Sequence, residues 1–531
     1  MTPDHPLNRA TSQSKGSRDT AEVDVLIIGA GPTGLTAAVE ALRNGLTVRI
    51  VERQPERGMF SKALVVHART MEVFALMGVD GDIRKAGTPF AALNLHFNNR
   101  KKRVHVDLLE QPWGDTAYPY WLSVPQHDTE RVLENRLTGL GGVVEWSTAL
   151  RSVEDRGSYV EATVIHDGTT EIVRAGWVIG CDGGRSTVRE QSGIALKRAG
   201  AGATFLLADV KTTSDLIENE GHLFLAPEGL FILVPMPEPR RWRLIAQVSS
   251  SDDKMVTTVD SARLDELIYA RAGITFGAHD VSWISQFNLS HGVAERFRSG
   301  RVFLAGDAAH IHSPVGGQGL NTGVQDAHNL MWRISESRRA APERAERLLA
   351  GYQAERQGTA GAMVGGVARM TAIMTSPGLL ARRLRSVVAP LIVSRGLVQA
   401  KLARGVGMLN LSYEKRRGLR GTPILSVGSR LPNPELGEGD RLYDRLPTTG
   451  YSWVVCDDSS TGSGSDVPDT DTLHEESPYW MGLPLVVVGS SAFHQHDGKP
   501  RRSTVILVRP DRYIAAVDSN PESLWPTPLL G

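Results

Sequence analysis

Cysteine is nearly absent: Cys181 and Cys456 are the only two in 531 residues. They allow at most one disulfide and no cysteine-based metal cluster, and such usage fits a reducing cytoplasm. Also missing is any apolar run near the roughly 18 residues that span a bilayer, so no membrane-spanning helix is expected. An excess of one charge is missing too, since Lys plus Arg and Asp plus Glu both number 59. No net field points to nucleic acid or to a strongly charged partner. The histidines His291, His310, His312, His328, His494 and His496 lack metal-ligand spacing, and no metal site is expected. No Gly-x-Ser-x-Gly nucleophile elbow is present. The polar residues 1–20 lack the apolar core of a signal peptide and read as a disordered extension of a cytoplasmic protein.

What remains is ordinary globular composition, 41% hydrophobic and 22% charged, in a chain long enough for two to four domains. Residues 23–28 (Val-Asp-Val-Leu-Ile-Ile) read as a buried parallel strand, followed by a helix over about 34–44 and a second strand over 46–51. Between strand and helix stand Gly29, Gly31 and Gly34 in a Gly-x-Gly-x-x-Gly pattern. The first glycine allows the tight turn, the second lets a pyrophosphate approach the backbone, and the third lets helix and strand pack closely. Glu52 lies 18 residues beyond Gly34 at a strand end, where a carboxylate can bind ribose hydroxyls. These features predict nucleotide binding without separating FAD from NAD.

Two further segments matter. Gly180-Cys-Asp-Gly-Gly-Arg-Ser-Thr-Val-Arg189 reads on its own as a strand, a turn and a capped helix. Ala305-Gly-Asp-Ala-Ala-His310 runs on into Pro314-Val-Gly-Gly-Gln-Gly-Leu-Asn321. Its glycines remove side chains where something flat must meet the backbone, and the amides of Leu320 and Asn321 open a predicted helix over 321–336.

In this order and at these separations the three segments resemble the FAD-dependent aromatic monooxygenases of the para-hydroxybenzoate hydroxylase and phenol hydroxylase type. The resemblance covers most of the chain. It implies an α/β fold with a discontinuous Rossmann-like FAD-binding domain (residues 21–89, 121–200 and 291–365) and an antiparallel-sheet substrate domain (90–120 and 201–290). A helical connection over 366–420 would lead to a thioredoxin-like domain over 421–531, without Cys-x-x-Cys. In that last unit Arg509-Pro-Asp-Arg-Tyr513 resembles a family signature, with Arg512 in place of the usual glycine.

For the site, the resemblance implies that Gly306 and Asp307 meet the ribityl chain and that Asp182, Gly183 and Arg189 serve FAD and the reduced nicotinamide. It places Thr33, Arg53, Arg69, Gln126 and Leu150 with the cofactor too, and Lys62 where relatives carry a phosphate-binding arginine. Lysine lacks the fork for bidentate phosphate binding. Gly317, Gly319, Leu320 and Asn321 would border the flavin, with the Pro314 carbonyl at the edge where oxygen reacts. On the predicted roof sheet, His222, Arg243 and Gln247 are candidates for acting on substrate.

The implied activity is insertion of one oxygen atom from O2 into an aromatic, phenolic polyketide-type small molecule, through a flavin hydroperoxide formed with NADPH or NADH. A Baeyer–Villiger oxygenase or epoxidase on the same scaffold stays open, as does a non-catalytic FAD-fold binder. The Trp-x-Trp-x-Ile-Pro signature of flavin halogenases is absent. The expected assembly is a homodimer.

Overall fold

The computed structural model describes residues 21–59, 63–97, 102–199, 204–226, 229–248, 260–288, 291–311, 316–375, 388–414, 425–457, 479–480, 483–489, 493 and 504–518. Lys62 and Pro314 lie outside these residues.

The first strand, Ala21–Ile28, is central in a sheet because Val25, Leu26 and Ile27 are wholly buried and need cover on both faces. It pairs in parallel with Val48–Val51 on one side and Thr169–Gly180 on the other. Val302–Leu304 then pairs in parallel with Thr169–Gly180. The register sets Ile28 opposite Gly180 and Gly180 opposite Leu304. Three strand ends therefore finish level, and the turns at Gly29, Cys181 and Ala305 share one edge. The helix Pro32–Arg43 covers this sheet, starting on a proline whose missing N–H costs nothing in the first turn. Against it packs the helix Gln318–Ser337, which starts three residues before the predicted position because Gly317, at φ +61°, turns the chain into it.

A second sheet has the order His279–Asn288, Thr204–Lys211, Arg241–Val248, Gly229–Pro235, Glu220–Ala226, Ala92–Phe97, Lys102–Asp107. Every pairing is antiparallel except that between Glu220–Ala226 and Ala92–Phe97. One face is covered by the helix Ser261–Ala272 through Leu264 and Ile268. The other face carries Phe205, Leu207, Leu230, Ile232 and Ile245.

The 34-residue helix Pro342–Thr375 runs unbroken across residues 365 and 366, a boundary that the sequence alone suggests. Short helices follow at Ala389–Val393 and Gly396–Val406. Pro390 sits in the first turn of the former, where its missing N–H leaves no bond unmade.

The C-terminal sheet has the order Tyr479–Trp480, Leu483–Gly489, Ser452–Asp457, Thr504–Val508, Ile514–Asp518. Arg512 takes a left-handed backbone, at φ +62°. Its buried guanidinium donates to the carbonyls of Leu446 (3.2 Å) and Pro447 (2.8 Å), which offsets part of the strain. Burial pushes its pKa down to about 10.

Candidate active site

At the shared sheet edge, the chain's glycines divide by what surrounds them. A Cβ on Gly34 would lie 1.9 Å from the Gly29 carbonyl oxygen, so this glycine exists for contact between helix and strand. At Gly31, Gly183 and Gly319 an added Cβ would meet no protein atom within 4 Å. All three face one cavity of about 1140 Å³, above the roughly 300–1,000 Å³ of an ordinary small-molecule site. Room for a cofactor and a second ligand together is the natural reading of that size.

The cavity has three walls. Gly31, Thr33, Gln126, Cys181, Asp307 and the segment Gly316–Leu320 form a backbone-rich wall. Opposite stands the second sheet, with Leu93, Leu95, Leu223, Leu225, Ile245 and Phe287. Helical residues Thr359, Ala362, Met363, Val393, Leu402 and Val406 close the third side. The walls are mostly apolar, which keeps water out and strengthens the few polar contacts inside.

The glycine segment is tied down from behind. Asn321 Nδ2 donates to the carbonyls of Gly317 (2.7 Å) and Val65 (2.8 Å), while its Oδ1 accepts the His67 amide (2.8 Å). His67 Nε2 lies 2.8 Å from the Gly316 carbonyl. A carbonyl only accepts, so Nε2 carries the proton and Nδ1 is bare; it is buried without a partner. Burial outweighs the Gly316 bond and holds His67 down at about 4, hence neutral. Beneath Gly306 lies an ionic cluster without solvent contact. Asp326 accepts from the Gly306 amide (3.1 Å), His310 Nε2 (2.5 Å) and Arg356 Nε (2.7 Å). Burial alone would raise the Asp326 pKa, but His310 and Arg356 overcome it and hold it at about 2.

A cavity bordered by open-sided glycines, at the carboxyl ends of parallel strands, is where a dinucleotide sits in such sheets. Residues 22–366 match the model of the FAD binding domain family. The chain belongs to the FAD-dependent aromatic monooxygenases. It is 37% identical over 381 residues to 6-methylpretetramide 4-monooxygenase of Streptomyces rimosus, covering 72% of this chain and 66% of that protein. A flavin-dependent monooxygenase of Mycobacteroides abscessus is 30% identical over 519 residues, 93% of this chain and 96% of its own. Among solved structures, the OxyS anhydrotetracycline hydroxylase of Streptomyces rimosus superposes with a TM-score of 0.72 at 28% identity, covering 95% and 97% of the two chains.

Within this monooxygenase, several residues expected at the cofactor do not line the cavity. Arg69 is buried but turned from the cavity: its guanidinium donates to Glu72 (2.9 Å) and to the Asp511 carbonyl (2.6 Å). Arg189 ties loops together through the carbonyls of Ala308 and Gly184, both at 3.0 Å. Leu150 is half-buried in a strand of the sheet's antiparallel extension and Arg53 is exposed; neither lines the cavity. Glu52 does not line it either, and accepts the Ala30 amide at 2.9 Å, beside the glycine turn. Asp182 accepts the Val188 amide at 3.1 Å with one oxygen and keeps the other buried and unpartnered. Gln126 faces the cavity and donates to Glu130, whose carboxyl burial raises to about 7.

On the second sheet the two-residue period separates the three candidates. Gly221, Leu223 and Leu225 face the cavity, so His222 faces away, against His96 and Trp242. Gln247 lies beyond the cavity end of its strand, 3.3 Å from the Leu230 amide, which it accepts. Arg243 does line the cavity, held by Asp209 in two 2.8 Å bonds and lying over the Trp283 ring. The helical wall was missed from sequence altogether. An Ala-, Gly- and Met-bearing helix gives no chemical signal of what it faces.

Proposed function

We propose that this monooxygenase draws two electrons from NADPH or NADH and inserts one atom of O2 into a bulky phenolic, polyketide-type ring system. The second oxygen atom leaves as water, so the electrons balance. The observation that carries this reading is the size and division of the cavity: a glycine-rich wall facing a mostly apolar one, with room for both ligands. Relatives named for 6-methylpretetramide and anhydrotetracycline support a large substrate.

Bound FAD supplies the electron storage and the activation of O2. The protein's part is placement. Gly31 would admit the pyrophosphate to the start of the helix Pro32–Arg43, where unpaired amides favour an anion, while Gly29 and Gly34 let the turn and the helix pack closely. Thr33, Gln126, Gly183 and Asp307, which line the cavity, together with Asp182 would hold the middle of the cofactor, and Glu52, bonded by the Ala30 amide, would take the ribose. Gly317, Gly319 and Leu320 line the cavity where they would meet the flavin ring, and the first amides of Gln318–Ser337 would favour negative charge there. The leucine-rich sheet excludes water, and the Arg243–Asp209 pair gives substrate oxygen atoms one fixed cationic neighbour. With the short Tyr479–Trp480 set aside, the C-terminal strands run in the order 2-1-3-4 with the first pair parallel, which supports the thioredoxin-like reading of this unit. Its single cysteine, Cys456, is pushed up to about 12 by burial, which suits packing rather than redox exchange.

Anaerobic stopped-flow reduction by NADPH or NADH with polycyclic phenols, then mixing with O2, tests the reading. Substrate-stimulated flavin bleaching and a product heavier by one oxygen are expected. The product's structure separates hydroxylation from ring expansion or epoxidation. Flavin that neither nucleotide reduces with any phenol present overturns it.

A further inference from the structure

The Arg509-Pro-Asp-Arg-Tyr513 segment belongs to the C-terminal unit, yet the side chains of Arg509 and Asp511 reach into the FAD-binding domain. Arg509 spreads its fork over two carboxylates. Nη1 and Nη2 donate to Glu355 at 2.6 and 2.9 Å, and Nε and Nη2 donate to Asp511 at 2.9 and 2.6 Å. Asp511 also accepts from Asn329 Nδ2 (3.1 Å), and its backbone carbonyl accepts from Arg69 (2.6 Å). Asn329 bonds Glu355 as well, at 2.9 Å. Arg509 is 8% exposed and Asp511 1%.

Each gripped element carries part of the cavity. Glu355 lies on the helix Pro342–Thr375 at four, seven, eight and eleven residues before Thr359, Ala362, Met363 and Gly366. That spacing puts all five on one helical face. Asn329 lies on the helix Gln318–Ser337, eleven residues and about 16 Å from Gln318, whose turn borders the cavity. Arg69 follows His67, which lines it too. The segment itself touches no part of the cavity.

We infer that Arg509 and Asp511 are positioning residues of the flavin site: the C-terminal unit clamps the two helices that set the glycine wall and the helical wall relative to each other. The inference rests on the FAD reading above. A helix is stiff over three turns, so a shift at Asn329 or Glu355 reaches the cavity almost undiminished. Lysine cannot reproduce the fork, because its single nitrogen can make neither contact bidentate, as Nη1 with Nη2 does on Glu355 and Nε with Nη2 on Asp511.

The test uses full-length holoenzyme and FAD alone as probe. Three variants are compared with wild type: Arg509→Lys, Asp511→Asn and, as a matched core defect in the same unit, Val454→Ala, whose site is fully buried in the C-terminal sheet. The readouts are melting temperature, the FAD dissociation constant and the visible circular dichroism of bound flavin. Arg509→Lys and Asp511→Asn should weaken FAD at least fivefold and alter the flavin dichroism. Val454→Ala should lower melting temperature while leaving both flavin readouts within twofold of wild type. If the clamp variants melt lower yet bind FAD with wild-type affinity and dichroism, the segment is plain interdomain glue and the inference falls. It also falls if Val454→Ala moves the flavin readouts equally. Should Arg509→Lys fail to fold, Asp511→Asn decides alone. Wild-type protein that takes up no FAD would overturn the flavin reading and this inference with it.

Discussion

Alanine at Gly31 and alanine at Gly34 should fail in opposite ways, although the two glycines stand in one motif. At Gly31 the backbone is extended (φ −71°, ψ −178°), which alanine adopts freely, and the new methyl group meets no protein atom. Alanine caps a helix less well than glycine, at a cost of up to about 1 kcal/mol. It also narrows the unfolded ensemble, a gain of roughly 0.4–1 kcal/mol. The two nearly cancel, so apo-protein melting should move by less than about 2 °C. The methyl group instead occupies the approach of the pyrophosphate, and FAD should bind at least thirtyfold more weakly, about 2 kcal/mol. At Gly34 the methyl group would sit 1.9 Å from the Gly29 oxygen and 3.3 Å from Cys181 Cβ. Backbone cannot swing aside as a side chain does, and the helix is pinned by wholly buried Ala37, Ala38 and Ala41. Overpacking of this kind costs at least the upper end of the usual 1–3 kcal/mol, or roughly 6–12 °C in melting. Differential scanning fluorimetry of apo-protein and titration with FAD read the two effects separately. Gly31→Ala protein binding FAD within threefold of wild type would refute the placement of the cofactor. Gly34→Ala protein melting like wild type would refute the close approach of helix and strand.

Two further outcomes follow from buried charge. His67 is held at about 4 in the fold against an ordinary 6.5, so the unfolded chain binds the extra proton between those values. Stability should fall as pH drops from about 6.5 towards 4, by up to about 3 kcal/mol. His67→Gln should flatten that part of the profile in urea unfolding at pH 7 and 4.5, and an unchanged slope would show that His67 is not its source. Arg243→Met strands Asp209, which is 4% exposed, and should cost about 3–5 kcal/mol. Arg243→Met combined with Asp209→Leu should recover most of that in denaturant midpoint. No recovery would mean that the pair does not account for the loss.

The sequence alone carried the nucleotide turn, because its requirements are local: a buried strand and Gly29, Gly31 and Gly34 at fixed offsets, although the helix starts at Pro32, two residues before the expected position. It also carried the family, since Gly180–Arg189 and Ala305–Asn321 keep their order along the chain. Which side chains face the cavity was decided only in three dimensions. His222 and Arg243 look equally plausible in sequence, yet one residue of strand register turns His222 onto Trp242 and brings Arg243 inside. Arg69 reads as a cofactor residue by family position, but the C-terminal unit folds back to offer it the Asp511 carbonyl, 442 residues away. The helical wall and the Arg509 clamp were equally illegible, for they arise from pairings between distant segments that no local pattern encodes. Local backbone chemistry is written in neighbouring residues, whereas the facing of a side chain depends on what packs behind it.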